Sequence, residues 1–368
     1  MNSNPQTLEE ARREIDALDE QIQALISQRA RIAQAIAHIK QRMGDGGDHY
    51  RPAREAEVLR RVIARNQANG GPLTDEVIAR LMREIMSACL SLESPLTVAY
   101  LGPEGTYTQA AVLKHFGDSV RARANNAIDE IFRDVESGAA DYGVVPVENS
   151  IGGVVSHTLD ELVHTKLRIC GEVTLPVHHH LLAVGGDLAA VRKIYAHPQS
   201  FAQCRKWLDA KLPHAIRETV SSNGQAALQA RQEGVGGAAI ASLQAARIHG
   251  LEILASNIED DPSNTTRFLV IGKQDPAPTG EDITSIVLSG HRNQPGSLLK
   301  LLQPLANAGL DMTRIESRPI KGSAVQDYYF FIDLAGHVST PAVRQALDEV
   351  RATAAYFKVL GSYPRAVV

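Results

Sequence analysis

Arg29 stands where the surrounding pattern calls for an aliphatic side chain. Leu8, Ala11, Ile15, Leu18, Ile22, Leu25, Arg29, Ile32, Ile36 and Ile39 follow one another at alternating steps of three and four. That is the heptad seam of a long helix packed against other helices. A charge in such a seam is costly unless an anion meets it. Arg12 lies beside the seam near its start and Lys40 beside its far end, so one helix aims three cations at its packing face. A glutamate on a partner helix would answer Arg29 alone. Three cations with few acids on the same face fit a small polyanion, because arginine grips a carboxylate through two parallel hydrogen bonds and lysine adds a point charge. Arg54 and Glu55 open a second helix, and Cys89 and Glu93, four residues apart, share one face of a third.

Four further motifs sit where strands begin or end. Gly102-Pro103-Glu104-Gly105-Thr106-Tyr107 follows one apolar run, and Pro146-Val147-Glu148-Asn149-Ser150-Ile151-Gly152-Gly153 follows another. His197-Pro198-Gln199-Ser200 follows a third, and Asn264-Thr265-Thr266-Arg267-Phe268 precedes the last. Strand ends are where α/β proteins bind ligands, although each motif alone also reads as a loop with turn and capping residues. In His178-His179-His180, neighbouring side chains on a strand point to opposite faces, so three in a row cannot meet one ion and no metal site is expected. Asn293, Gly296, Leu298 and Leu299 lead into a late helix, whose free N–H groups suit a carboxylate, and Glu316-Ser317-Arg318-Pro319 ends a strand.

The elements behind these residues fall into three modules. Thr7 and Glu10 form a capping box for a helix running to about Arg42, where Gly44, Gly46 and Gly47 end it. A second helix fits Pro52 to Gln67 and a third Thr74 to about Glu93, so residues 1–94 are all helix. The seam is longer than two shorter helices can cover, which predicts self-association. From 96 to 273, short buried runs alternate with amphipathic helices: Leu96–Leu101, Tyr142–Pro146, Ile194–Ala196, Ala238–Ala241 and Arg267–Ile271. Such alternation predicts α/β with mostly parallel strands. After a proline- and glycine-containing linker, residues 283–368 read βαββαβ, the ferredoxin-like unit.

The chain has 368 residues, a net charge of −4 and three cysteines at positions 89, 170 and 204. That charge argues against general nucleic-acid binding. The scattered cysteines fit a reducing cytosol. No stretch approaches the roughly 18 apolar residues of a membrane span. A cytoplasmic protein is expected.

Arg12, Arg29, Lys40, Arg54, Glu55, Cys89 and Glu93 resemble the all-helical chorismate mutases over about 90 residues. The resemblance implies an intertwined homodimer, or a higher homo-oligomer, in which each site takes Arg12 from the second protomer. Arginines hold the carboxylates of chorismate, and Lys40 and Glu93 meet the ether oxygen. Glu93 stands where glutamine is common and must be protonated to donate. Mutase activity is therefore expected to improve below neutral pH and Glu93→Gln to flatten the profile. Cys89 replaces a hydroxyl residue of some relatives. The middle motifs resemble prephenate dehydratase, a two-lobed fold like type II periplasmic binding proteins. There Thr266 meets the departing oxygen, and Glu148, Asn149, Ser150, Gln199 and Arg267 are candidates for binding prephenate, Arg267 being equally open to a structural ion pair. The last module resembles the ACT regulatory domain, implying L-phenylalanine as allosteric inhibitor, bound by Asn293, Gly296, Leu298, Leu299 and the Glu316–Pro319 block. No cofactor is implied. This order matches the bifunctional chorismate mutase–prephenate dehydratases. Two rivals are a monofunctional dehydratase with a helical dimerisation domain and a two-lobed amino-acid-binding protein.

Overall fold

The fold is seen in a computed structural model that describes residues 7–43, 50–291, 295–320 and 327–367. Three helices come first: α1 (Leu8–Arg42), α2 (Pro52–Asn69) and α3 (Asp75–Ser91). The capping box is reciprocal, with Glu10 N donating to Thr7 Oγ1 at 3.2 Å and Thr7 N donating to Glu10 Oε2 at 3.1 Å. Pro52 opens α2, and Gly70, at φ 60°, ends it. The glycines expected to end α1 lie outside the described residues. Helix α3 stops two residues short of the expectation, leaving Glu93 in a turn whose N–H bonds Leu90 O at 2.9 Å. On α1, Ile15, Leu18, Ile22, Leu25 and Ile32 are each more than half exposed, so much of the seam is uncovered by this chain.

Two α/β lobes follow. The first holds β1 (Thr97–Leu101), α4 (Tyr107–Phe116), β2 (Arg121–Asn125), α5 (Ile128–Ser137), β3 (Tyr142–Asn149), β4 (Gly153–Val154), α6 (Ser156–His164) and β5 (Arg168–Pro176). The second holds β6 (His180–Ala183), β7 (Lys193–Ala196), α7 (Pro198–Gln203), α8 (Arg205–Lys211), β8 (Ile216–Thr219), α9 (Asn223–Glu233), β9 (Gly237–Ala241), α10 (Leu243–His249) and β10 (Glu252–Ala255). Then β11 (Thr265–Gly272) returns to the first sheet, which runs β2-β1-β3-β11-β5, while the second runs β10-β6-β9-β7-β8. Expectation and structure differ here. Only β1–β2, β1–β3, β7–β8 and β7–β9 are parallel; β11 opposes both β3 and β5, and β6 opposes β9 and β10. The sheets are mixed because the chain crosses between lobes twice, and the returning strand enters its sheet from the far end. The two crossings meet where Val177 N donates to Asn264 O at 2.8 Å.

The C-terminal module is β12 (Asp282–Ser289), α11 (Ser297–Asn307), β13 (Met312–Pro319), β14 (Tyr328–Ala335), α12 (Pro341–Thr353) and β15 (Tyr356–Pro364). Its antiparallel sheet, ordered β13-β14-β12-β15, is the ferredoxin-like arrangement. One face packs α11 and α12 through Leu301, Leu305, Val343 and Leu347. From the other, Val287, Phe331, Leu360 and Tyr363 join one core with Val145, Ile169 and Leu269 of the first lobe. The approach is close: a Cβ on Gly361 would sit 2.2 Å from Ile169 O. Among the described residues no helix is long and apolar enough to cross a membrane.

Candidate functional site

A cavity of about 390 Å³ between the three helices is lined by Arg29, Lys40, Arg54, Glu55, Cys89 and Glu93, together with Ile32 and Ile36 of the seam. Six of the seven expected residues thus converge. Arg12 does not: it lies seventeen residues before Arg29 on the same helix, about 25 Å away at 1.5 Å per residue, and is exposed. Arg51, one turn before Arg54, also lines the cavity. Sequence reading missed it, though its position at the N-cap of α2 was a signal. Among the described residues, neither Arg29 nor Lys40 has an ion-pair partner. Arg54 is largely solvated and pairs with Glu57 at 3.1 Å. Glu55 is different. Burial pushes its carboxyl up to about 7, against the opposing charge of Arg83 3.5 Å away. Arg83 in turn donates to Val367 O at 3.1 Å, so the chain's C-terminal stretch reaches the helical module.

The second site is a cleft of about 530 Å³ between the lobes. Thr266 and Phe268 of β11 face it, alongside Asn149, Gln199, Tyr107, His179, His197 and Asn223. Asn149 is fixed from both ends of its amide. Its Oδ1 accepts from Gly152 N at 2.7 Å and Ile151 N at 3.2 Å. Its Nδ2 donates to Asn264 Oδ1 at 2.8 Å and to Thr266 Oγ1 at 2.9 Å. Since Thr266 Oγ1 accepts there, its own proton is free to point into the cleft. Gln199 crosses from the second lobe to within 3.4 Å of Asn149 Oδ1. Gly152 is required for that approach, because a Cβ there would lie 2.3 Å from the Gln199 amide nitrogen.

His179 forms the floor, 1% exposed. Tyr107 Oη donates to His178 O at 2.7 Å, so the 2.9 Å contact with His179 Nδ1 is a donation from the ring. The bare Nε2 then needs a donor, and the Gln203 amide 2.7 Å away supplies one with its NH2 turned to the ring. Burial lowers the His179 pKa, keeping the ring neutral near pH 7. Sequence reading singled out neither His179 nor Gln203 as cleft residues. His178 pairs with Glu259 at 2.8 Å, and among the described residues no cluster suits a metal ion.

Three expected cleft residues lie elsewhere. Ser150 Oγ accepts from Thr265 N at 3.0 Å and is exposed outside the cleft. Glu148 turns to Arg314 Nε at 3.0 Å. Arg267 is buried against Glu172 at 2.8 Å, Asp333 at 2.7 Å and Tyr363 Oη at 3.1 Å. The structural ion pair, rather than a substrate carboxylate, occupies its guanidinium. The reason is strand alternation: Asn149 and Thr266 face the cleft, so their neighbours Glu148 and Arg267 face away.

A third cavity, about 530 Å³, opens at the start of α11 and is lined by Gly296, Leu298, Leu299 and Ser317, with Tyr328 and Phe330. Glu316, Arg318 and Pro319 are not in that lining. Arg318 instead holds Asp160 of α6, Nη2 to Oδ2 at 2.7 Å, and Glu316 lies on the same side of the strand. Asn293 falls outside the described residues.

Comparison with known proteins finds three families along the chain. The type II chorismate mutase family matches residues 11–94, prephenate dehydratase residues 98–276 and the ACT domain residues 284–352. A bifunctional chorismate mutase/prephenate dehydratase of Pseudomonas aeruginosa is 52% identical over 98% of this chain and 98% of its own length. The solved prephenate dehydratase of Arthrobacter aurescens in complex with L-Phe is 33% identical, covering 74% of this chain and 93% of that one at a TM-score of 0.68. A solved chain described as a novel type of quorum-quenching acylase, GqqA, is 32% identical at a TM-score of 0.67 and covers 73% of this chain and 98% of its own. With its three modules in that order and its length matched end to end, the chain belongs to the bifunctional chorismate mutase/prephenate dehydratase family.

Proposed function

We propose that the chain rearranges chorismate to prephenate in the helical cavity and converts prephenate to phenylpyruvate in the cleft, under feedback inhibition by L-phenylalanine. The first reaction is unimolecular and needs no nucleophile or cofactor. It needs the substrate held in its chair-like conformer and the charge gathering on the ether oxygen met by a donor. Arg29 and Arg54 suit the two carboxylates, and Lys40 suits the ether oxygen, with Glu93 in the same lining. Arg12 completes the cavity from a second protomer, a reading supported by its distance from Arg29 and by the uncovered seam of α1.

In the cleft, the ring carboxylate leaves as carbon dioxide, its bonding pair completes the aromatic ring, and the ring hydroxyl departs. Thr266 donates its proton in a hydrogen bond to that oxygen. The observation that carries this reading is the 2.9 Å bond from Asn149, which occupies a lone pair of Thr266 Oγ1 and leaves the hydroxyl proton for the substrate. An acyl-transfer role for Thr266 would need a base within reach of Oγ1; its partner is an amide. The cavity at Gly296 and Ser317 suits phenylalanine, with helix N–H groups for the carboxylate and Leu298 and Leu299 for the ring. The three cysteines are buried and unpaired, which fits a cytoplasmic location. The test is to supply prephenate to the full chain and to Thr266→Val. The reading expects phenylpyruvate from the first alone; equal rates from both would contradict it.

A further inference from the structure

Thr266 and Asn149 are register partners across β11 and β3, and so are Arg267 and Glu148. The first pair builds the cleft; the second faces the C-terminal sheet, where β13, β14 and β15 contact it directly and β12 braces it through Asp333. Arg267 binds Asp333 of β14 at 2.7 Å and the Tyr363 hydroxyl of β15 at 3.1 Å. Asp333 also accepts from Ser285 of β12 at 2.5 Å. The remaining strand, β13, reaches Glu148 through Arg314 at 3.0 Å. Further along β13, Ser317 enters the effector cavity, and Arg318 grips Asp160. Arg314 and Ser317 are about 10 Å apart at 3.3 Å per residue. One strand therefore touches the effector cavity with one residue and both neighbouring elements of the dehydratase lobe with others.

We propose that Glu148 and Arg267 are positioning residues: the Arg314–Glu148 and Asp333–Arg267 ion pairs transmit the state of the C-terminal sheet to Asn149 and Thr266. The proposal rests on reading the cavity at Ser317 as the phenylalanine site. Phenylalanine seated there shifts β13 and β14 relative to the lobe. The Asp333–Arg267 pair is buried and costly to part, and the more exposed Glu148 is held by Arg314 at 3.0 Å, so Arg267 and Glu148 follow, and the β3–β11 pair moves with them. The Asn149 amide then leaves Thr266 Oγ1, and a misplacement of about 1 Å at a reacting group costs about a hundredfold in rate. Arg314 and Asp333 touch neither the cleft nor the effector cavity, so substituting them separates transmission from both.

The test uses the full chain, assayed from prephenate with and without phenylalanine, alongside equilibrium dialysis of labelled phenylalanine. Arg314→Met and Asp333→Asn should bind phenylalanine within about twofold of the unmodified protein, and keep activity without it within about threefold, while the inhibition ratio falls about tenfold. Arg314→Lys, which preserves the ion pair, should restore inhibition. Full inhibition in both variants overturns the proposal. So does loss of phenylalanine binding in both, which would place these residues at the effector site itself, or loss of basal activity that Arg314→Lys does not avoid, which would make the contacts merely structural. If the unmodified protein itself neither binds nor responds to phenylalanine, the reading of the effector cavity fails instead.

Discussion

The helical cavity and the interlobe cleft handle closely related anions by opposite means. In the cavity, fixed cations project from long helices, while Arg12 lies about 25 Å from Arg29 and much of the α1 seam is in solvent. In the cleft, the polar lining is mostly neutral: amides, hydroxyls and an uncharged imidazole, locked by hydrogen bonds within one chain. A rearrangement that only needs its substrate folded and its charge balanced is served by charge placement. Loss of carbon dioxide and water needs one aimed proton, so the cleft orients donors instead. On the proposed reading the first site depends on association, whereas the second is built within its own lobes, with the C-terminal sheet packed behind the first of them.

The largest effect that can break this contrast is Thr266→Val, which removes a donor aimed at developing charge. It should lower dehydratase kcat by about 10²–10³ and leave conversion of chorismate unchanged, as read by ultraviolet assays of each step. Next comes Arg29→Ala, expected to lower mutase kcat/KM by about a hundredfold, the scale of removing one partner of a buried charge pair, with prephenate turnover intact. If the cavity is shared between protomers, mixing inactive Arg12→Ala and Arg29→Ala chains should regenerate mutase activity through hybrid sites. Persistent inactivity of the mixture would place Arg12 outside the site.

A smaller effect concerns pH. The Glu55 carboxyl is raised from 4.5 to about 7 by burial. Between those values the folded chain holds a proton that the unfolded chain has released. The stability this contributes is complete below about 4.5 and is lost as pH rises through about 7, a change of about 3 kcal/mol at most. Thermal unfolding of Glu55→Gln should show less decline over that window. The same variant sharpens the mutase pH profile. A bend near neutrality that survives in Glu55→Gln but vanishes in Glu93→Gln assigns it to the ether-oxygen partner; the reverse assigns it to Glu55. Smallest is Gly361→Ala, whose methyl would collide with Ile169 and cost about 1–3 kcal/mol, measured by denaturation. It should weaken phenylalanine inhibition while sparing the mutase.

Much of this arrangement was legible in the sequence because periodicity carries geometry. Steps of three and four put Arg29 and Lys40 on one helical face, and the family resemblance carried by the motif blocks led to Thr266 and Asn149. What failed was adjacency: Glu148 and Arg267 share motifs with cleft residues, but consecutive strand residues face opposite ways, and Ser150 lies in the turn after β3, tied to Thr265. The alternation Thr266, Arg267, Phe268 held that signal, since an inward Phe268 implies an outward Arg267. His179 and Gln203 were hidden for another reason. His179, at the crossing into the second lobe, meets Gln203 of α7 and Tyr107 of the first lobe far apart in sequence, and no local pattern encodes that. Antiparallel β11 was missed on the same ground. Arg12 lies outside the cavity of its own chain, and the second chain proposed to bring it there is signalled in one sequence only by an over-long seam.

The central claim is that two separate sites on one chain perform successive steps. The most direct measurement supplies chorismate to Thr266→Val, to Arg29→Ala and to an equimolar mixture, following prephenate and phenylpyruvate together. The account predicts accumulated prephenate from the first, little conversion by the second, and phenylpyruvate from the mixture. Phenylpyruvate formed at the unmodified rate by either variant alone would contradict it.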